Sequence, residues 1–192
     1  MNTHQEIITT SDELVAATKN AMVRQITVRG NLSNTPSIRL APGQQLVGEG
    51  DQTEVLFSAG VDGLQLTSDN QVRGLNLRTS LDKRDIFNDT TVNTLGHLHI
   101  AGVTTIGQVQ ILARDKVRSG HLKVDGLDII AADTRAQGER PHGYGVYVIQ
   151  GAFTLWNMQA DKDIMITADL VGLSAGRITK SVVVSLRYMA HV

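Results

Sequence analysis

Short apolar-x-apolar triplets recur along the middle of the chain: Leu64-Gln65-Leu66, Leu75-Asn76-Leu77, Leu98-His99-Ile100, Val109-Gln110-Ile111, Leu122-Lys123-Val124, Phe153-Thr154-Leu155 and Ile164-Met165-Ile166. A period of two sends the outer residues of each triplet to one face and the middle residue to the other, the pattern of a half-buried strand. Glycine stands one or two residues ahead of most triplets. Gly63, Gly74, Gly96 and Gly107 keep a register of eleven, with Asp85 in the one missing place; Gly120 follows after thirteen, and Gly151 opens a later copy. Strands of about three to five residues are too short to stand alone. Stacked as a solenoid, each coil covers the apolar face of the next. Two steps of eleven make a coil of 22 to 24 residues, the length expected of a parallel β-helix, with glycine allowing positive φ at the corners.

Competing folds fit the spacing less well. A helical coiled coil with an eleven-residue repeat would carry a costly glycine at every step. A leucine-rich repeat has one strand per 20 to 29 residues, whereas here each half-coil supplies one. Calcium-binding glycine-aspartate nonapeptides have the wrong period. The pattern therefore predicts an all-β, right-handed parallel β-helix of about seven coils of ~23 residues. It forms one domain over 1–192, with an N-terminal helical cap at 10–22, coils over 24–172 and an irregular strand segment at 177–192.

The two ends differ. Thr10-Ser11-Asp12-Glu13 reads as a capping box, and Leu14, Ala17 or Thr18, and Ala21 then share one helical face. This helix would seal the first coil, whose strand is "RQITVRG". At the other end "GRITKSVVVSLRYMAHV" leaves the glycine register and gathers apolar residues at Val182, Val183, Val184 and Leu186. Two outcomes are open: a last strand folding back over the core, or two chains meeting end to end through this segment as a homo-oligomer.

Composition narrows the partners. The formal net charge is -1, from 18 basic and 19 acidic residues with no long single-sign run, so neither nucleic acid nor an anionic membrane finds an electrostatic footprint. The first twenty residues have neither a basic start nor a long apolar stretch, and no segment has the length of a membrane span. Location stays open, with the cytoplasm as default. Zero cysteines exclude disulfides, thiol nucleophiles and cysteine metal sites. No cofactor is expected.

The stretch "IRLAPGQQLVGEGDQTEVLF", residues 38–57, invites comparison with a phosphate cradle. A P-loop needs lysine and then serine or threonine after its second glycine, whereas Glu49 and Gly50 follow Gly48. A dinucleotide fingerprint needs glycine where Thr53 stands, and both motifs need a helix where "EVLF" reads as a strand. Followed by "GVDGLQLTSDNQVRGLNL", the stretch resembles the early coils of right-handed parallel β-helix proteins of the pectate-lyase-like superfamily. The resemblance covers roughly residues 10–170 as a pattern. It implies the fold, and a choice of activities that includes polysaccharide lyases, hydrolases, epimerases, tailspikes and adhesins. Enzymes of the superfamily are longer than this chain, and their cluster of acidic residues for calcium does not appear cleanly here.

Candidate chemistry sits at the middle positions of the triplets, which point outward. Asn76, His99, Lys123 and Tyr147 each lie between apolar neighbours at separations of 23, 24 and 24, and are expected to stack as one ladder, with His97 and His121 beside them. His99, Lys123 and Tyr147 are the candidate acid/base residues for β-elimination or epimerisation of a uronic acid, against the alternative that they are simply solvated. His97 and His99 share a strand face, and His121 would be a third metal ligand, but no carboxylate stands at a defined spacing and no metal site is assigned. Asp125 and Asp128 read as a turn around Gly126, and Asp161 and Asp163 as a solvated corner, rather than as a calcium site or glycosidase pair. The longest insertion, "DTRAQGERPHGYGVY", offers Arg135, Arg140, His142 and Tyr144 for a polysaccharide ligand, or is an irregular loop without one. Trp156 lies nearby in sequence, either on that loop's side or between coils. Two functions remain: a non-catalytic solenoid that self-associates or binds a partner, and a carbohydrate-active enzyme acting on acidic polysaccharide. Shortness and the 4% aromatic content favour the first.

Overall fold

The computed structural model describes residues 4–50, 52–113, 115–133, 153–157, 165–174 and 182–186, the last three ranges by main chain alone. In chain order the elements are β1 (His4–Ile8), α1 (Ser11–Lys19), β2 (Val23–Val28), β3 (Leu32–Thr35), β4 (Ile38–Arg39), β5 (Gln45–Gly48), β6 (Glu54–Phe57), β7 (Leu64–Leu66) and β8 (Gln71–Arg73). They continue with β9 (Asn76–Arg78), β10 (Arg84–Asn88), β11 (Thr94–Ile106), β12 (Gln108–Ala113), β13 (Ser119–Ala131), β14 (Phe153–Asn157), β15 (Met165–Ser174) and β16 (Val182–Leu186).

These strands wind into a parallel β-solenoid of about five turns with three faces. The first face stacks β1, β2, β5, β8, the first half of β11, the first half of β13 and β15; the second stacks β3, β6, β9 and the second halves of β11 and β13; the third stacks β4, β7, β10, β12 and β14. Every pairing is parallel except the last, in which β16 returns antiparallel on β15. The count falls short of seven because coils are unequal. Gln25, Gln45, Gln71, His99, Lys123 and Asp169 occupy successive rungs, and the step from Lys123 to Asp169 takes nearly twice the chain of the one before it.

The core is a set of apolar columns running along the axis. One reads Ile26, Leu46, Val72, Ile100 and Val124, all buried. Each such side chain contributes about 1.5–3 kcal/mol on leaving water, so the regular alternation, rather than any one contact, holds the short strands together.

Corners need glycine for two reasons. Gly74 ends β8 with φ +62, and Gly102 and Gly126 bend β11 and β13 in their middles with φ +57 and +83. There the chain turns from the first face to the second without leaving the ladder. Gly48, on the coil before Gly74, has ordinary φ, but a Cβ on it would collide with the Gly74 carbonyl oxygen. The pair Asp125 and Asp128 thus flanks a bend inside a strand, and both are exposed.

Asp85, the gap in the glycine register, lies at a bulge. The pairing of β10 with β12 jumps from Arg84↔Gln108 to Ile86↔Val109, so Asp85 and Ile86 both face inward and both are fully buried.

The N-terminal helix spans Ser11–Lys19, shorter than the expected 10–22. Thr10 caps it, its side chain accepting from the Glu13 N–H while the Glu13 carboxylate returns to the N-cap N–H. Leu14, Ala17 and Thr18 are buried, and Ala21 lies exposed in the following turn. Two features escaped the sequence pattern. Strand β1 precedes the helix and pairs with β2. Gln44, buried, donates from Nε2 to the carbonyls of Ala17, Asn20 and Val23 at 3.1, 3.0 and 3.1 Å and accepts from the Ala41 N–H at 2.8 Å. The Ala17 and Asn20 carbonyls also accept from the N–H groups of Asn20 and Val23, at 3.2 and 3.0 Å, so Gln44 adds a second donor to each and ties the helix end and its turn to the coil below. Among the described residues, no helix is long and apolar enough to cross a membrane.

Candidate functional site

On the outer side of the first face, successive register partners form one continuous column: Gln5, Gln25, Gln45, Gln71, His99 and Lys123, with Asp169 at the next register position. The expected ladder is therefore right for His99 and Lys123 and wrong for Asn76. Asn76 lies past the Gly74 corner on the second face, paired with Glu54 and Thr104, and the neighbour of His99 is Gln71. The equal spacing that put Asn76 on the ladder fails because β8 and β9 both pair with the long, bent β11. Tyr147 lies outside the described residues, as do Arg135, Arg140, His142 and Tyr144.

Two further residues complete the site. Arg73 stands on the adjacent outward column, one residue pair from Gln71, and its Nη2 donates to Gln45 Oε1 at 3.5 Å. Asp125 lies 4.0 Å from the Lys123 ammonium. His99 is half-buried between these rungs. Burial lowers its pKa, as do the Lys123 charge and then Arg73, while Asp125 opposes them. The imidazole is thus biased to its neutral form between two cations. Among the described residues, neither His99 Nε2 nor Arg73 Nε, both buried atoms, has a hydrogen-bond partner. A neutral imidazole flanked by lysine and arginine can accept a proton or hold an acidic group against the cations.

His97 and His121 stack on neighbouring rungs as the sequence predicts, their ring centroids 5.6 Å apart at 55°. Among the described residues, no group of three histidine, aspartate or glutamate side chains is placed to hold a metal ion. Val182, Val183, Val184 and Leu186 all lie in β16, whose main chain pairs antiparallel with β15.

The glutamine run and Arg73 were missed at the level of sequence, although a signal was there. Gln25, Gln45 and Gln71 each directly precede the buried apolar residue of their strand. Unequal coil lengths hide that repeat from any fixed period.

No family model matches the chain, and neither a curated protein nor a solved structure matches it.

Proposed function

We propose that this chain is a non-catalytic solenoid that associates with a second copy of itself through its C-terminal end. One observation carries the reading: over the described residues the core column begins on a charge and ends on an apolar residue. Before Ile26 the column position is Glu6, in contact with His4 at 3.2 Å, and α1 packs beside it. After Val124 it continues through Leu170 to Val182. Val184 and Leu186 likewise stand opposite Ala168 and Ile166, the register partners of Leu122 and Gly120. An inward-facing charge is a known guard on an edge strand, and β16 has none in its described range. Among the described residues no strand pairs with the outer edge of β16. Antiparallel pairing of β16 with its copy around a two-fold axis would bury the edge and extend the apolar columns.

The test is the mass in solution by sedimentation equilibrium over a wide concentration range. A concentration-dependent dimer is expected, and Val184→Glu should give a monomer with unchanged far-ultraviolet circular dichroism. A parent chain that stays monomeric at every concentration overturns the proposal.

A second reading draws on the neutral His99 beside Lys123 and Arg73: catalysis on an acidic polysaccharide, as in enzymes of the pectate-lyase-like superfamily. Release of unsaturated uronate from pectate, alginate or glycosaminoglycan, lost in Lys123→Ala, would put this reading first.

A further inference from the structure

The third face carries an open groove of about 230 Å³, independent of both β16 and the His99 column. Its floor is a column along the axis, Gln65 on β7, Phe87 on β10 and Gln110 on β12. Rungs about 4.8 Å apart place the two amides roughly 10 Å from each other with the phenyl ring between. The Arg84 guanidinium covers one side of that ring, 4.2 Å from its centroid, and is itself held by the Asp62 carboxylate. The opposite wall is the turn after β10. There Asp89 accepts from the Thr91 N–H and hydroxyl, both at 2.7 Å, and from Arg39 at 2.7 Å.

The charges at this groove are thus matched within the chain. Burial works to raise the pKa of Asp62 and of Asp89, but hydrogen bonds and charge from Arg84 in the first case, and from Thr91 and Arg39 in the second, leave both lowered. Both pairs stay ionised, and these four groups together carry no net charge to draw an ionic ligand. The amides are different. Gln65 makes no side-chain hydrogen bond among the described residues, and Gln110 uses only Nε2, to Gln108 Oε1 at 2.9 Å. What is left to a ligand is part of an aromatic ring bordered above and below by amide donors and acceptors.

We propose that this groove binds an uncharged glycan, one pyranose ring packing on Phe87 while its hydroxyls exchange hydrogen bonds with Gln65 and Gln110. A sugar presents an apolar C–H face and a rim of groups that both donate and accept, which suits a ring flanked by amides. The floor runs along the solenoid axis, so a linear chain lies along the groove, with Thr154 at the next register position after Gln110.

The probes are neutral hexasaccharides (β-1,4-glucose, α-1,4-glucose and β-1,4-N-acetylglucosamine) and the charged hexagalacturonate, followed through side-chain amide resonances of the full chain. At least one neutral hexamer should shift the Gln65 and Gln110 amides, and hexagalacturonate should bind at least about tenfold more weakly. The double variant Gln65→Ala, Gln110→Ala, confined to the outer surface, should weaken that binding about tenfold or more. Phe87→Ala should do the same without removing an amide. The proposal is overturned if no neutral hexamer shifts either amide up to about 10 mM. It is equally overturned if both variants bind as the parent does, or if hexagalacturonate binds equally well. None of these outcomes depends on whether the chain dimerises.

Discussion

Replacing Asp85 with asparagine should make the protein more stable at high pH and leave it nearly unchanged at low pH. Asp85 has no exposed surface, and among the described residues neither of its oxygens has a hydrogen-bond partner. Burial pushes the carboxyl from 3.8 up to about 7; the Thr79 hydroxyl and the main chain at Ile106 and Thr79 lie near it without forming regular hydrogen bonds and offset only part of that penalty. The folded chain therefore keeps the proton up to about pH 7, whereas the unfolded chain releases it near 3.8. Between those values the folded state binds more protons, so this group makes stability fall as pH rises, and the loss is complete above the folded pKa. The full gap is worth about 4 kcal/mol at about 1.4 kcal/mol per pKa unit. For a chain of this size that is a shift of about 10 °C in the thermal midpoint.

Asparagine is neutral at every pH and close to aspartic acid in volume. Thermal or urea unfolding of parent and variant at about pH 5 and about pH 8.5 separates this group from all others, since their titrations cancel in the difference. The variant's advantage should grow with pH toward about 4 kcal/mol. A difference that stays flat across the range, or that turns against asparagine at the alkaline end, refutes the reasoning.

Three further outcomes are expected. Gln44→Leu removes the buried side-chain bonds to Ala17, Asn20 and Val23 and takes the acceptor from the Ala41 N–H, and should cost about 3 kcal/mol in urea unfolding; a change below about 0.5 kcal/mol would show that these bonds contribute nothing net to the fold. Gly48→Ala should cost more than Gly102→Ala, because the first meets the Gly74 carbonyl whereas the second meets open space and bears only left-handed strain of about 1–2 kcal/mol. Equal costs in chemical denaturation would contradict that ordering. In a nuclear magnetic resonance titration, His99 should lose its proton below the ordinary histidine value of 6.5, and Lys123→Ala, by removing a cation, should move the midpoint up; a midpoint unmoved or lowered would count against their proximity.

The local alternation and the glycine spacing were enough to announce a parallel solenoid, because each strand must bury one side and each corner must turn. Thr10 and Glu13 announced the helix cap for the same local reason: their bonds close within four residues. His97 with His121 and His99 with Lys123 were legible because β11 and β13 pair in nearly unbroken register. Asn76 was misplaced since a period counted along the chain cannot see that Gly74 moves it to another face. Only the folded chain decided which coils are long, and hence that Gln71 and Arg73 neighbour His99. It also decided that Asp85, polar in sequence and standing in a glycine's place, faces the core through a bulge. What repeats and what faces inward could be read from the residues alone, because both follow from alternation within a strand. Tertiary structure decided which outward residues meet, because that depends on the summed lengths of the loops between rungs, and loop length is free to vary without disturbing the apolar columns.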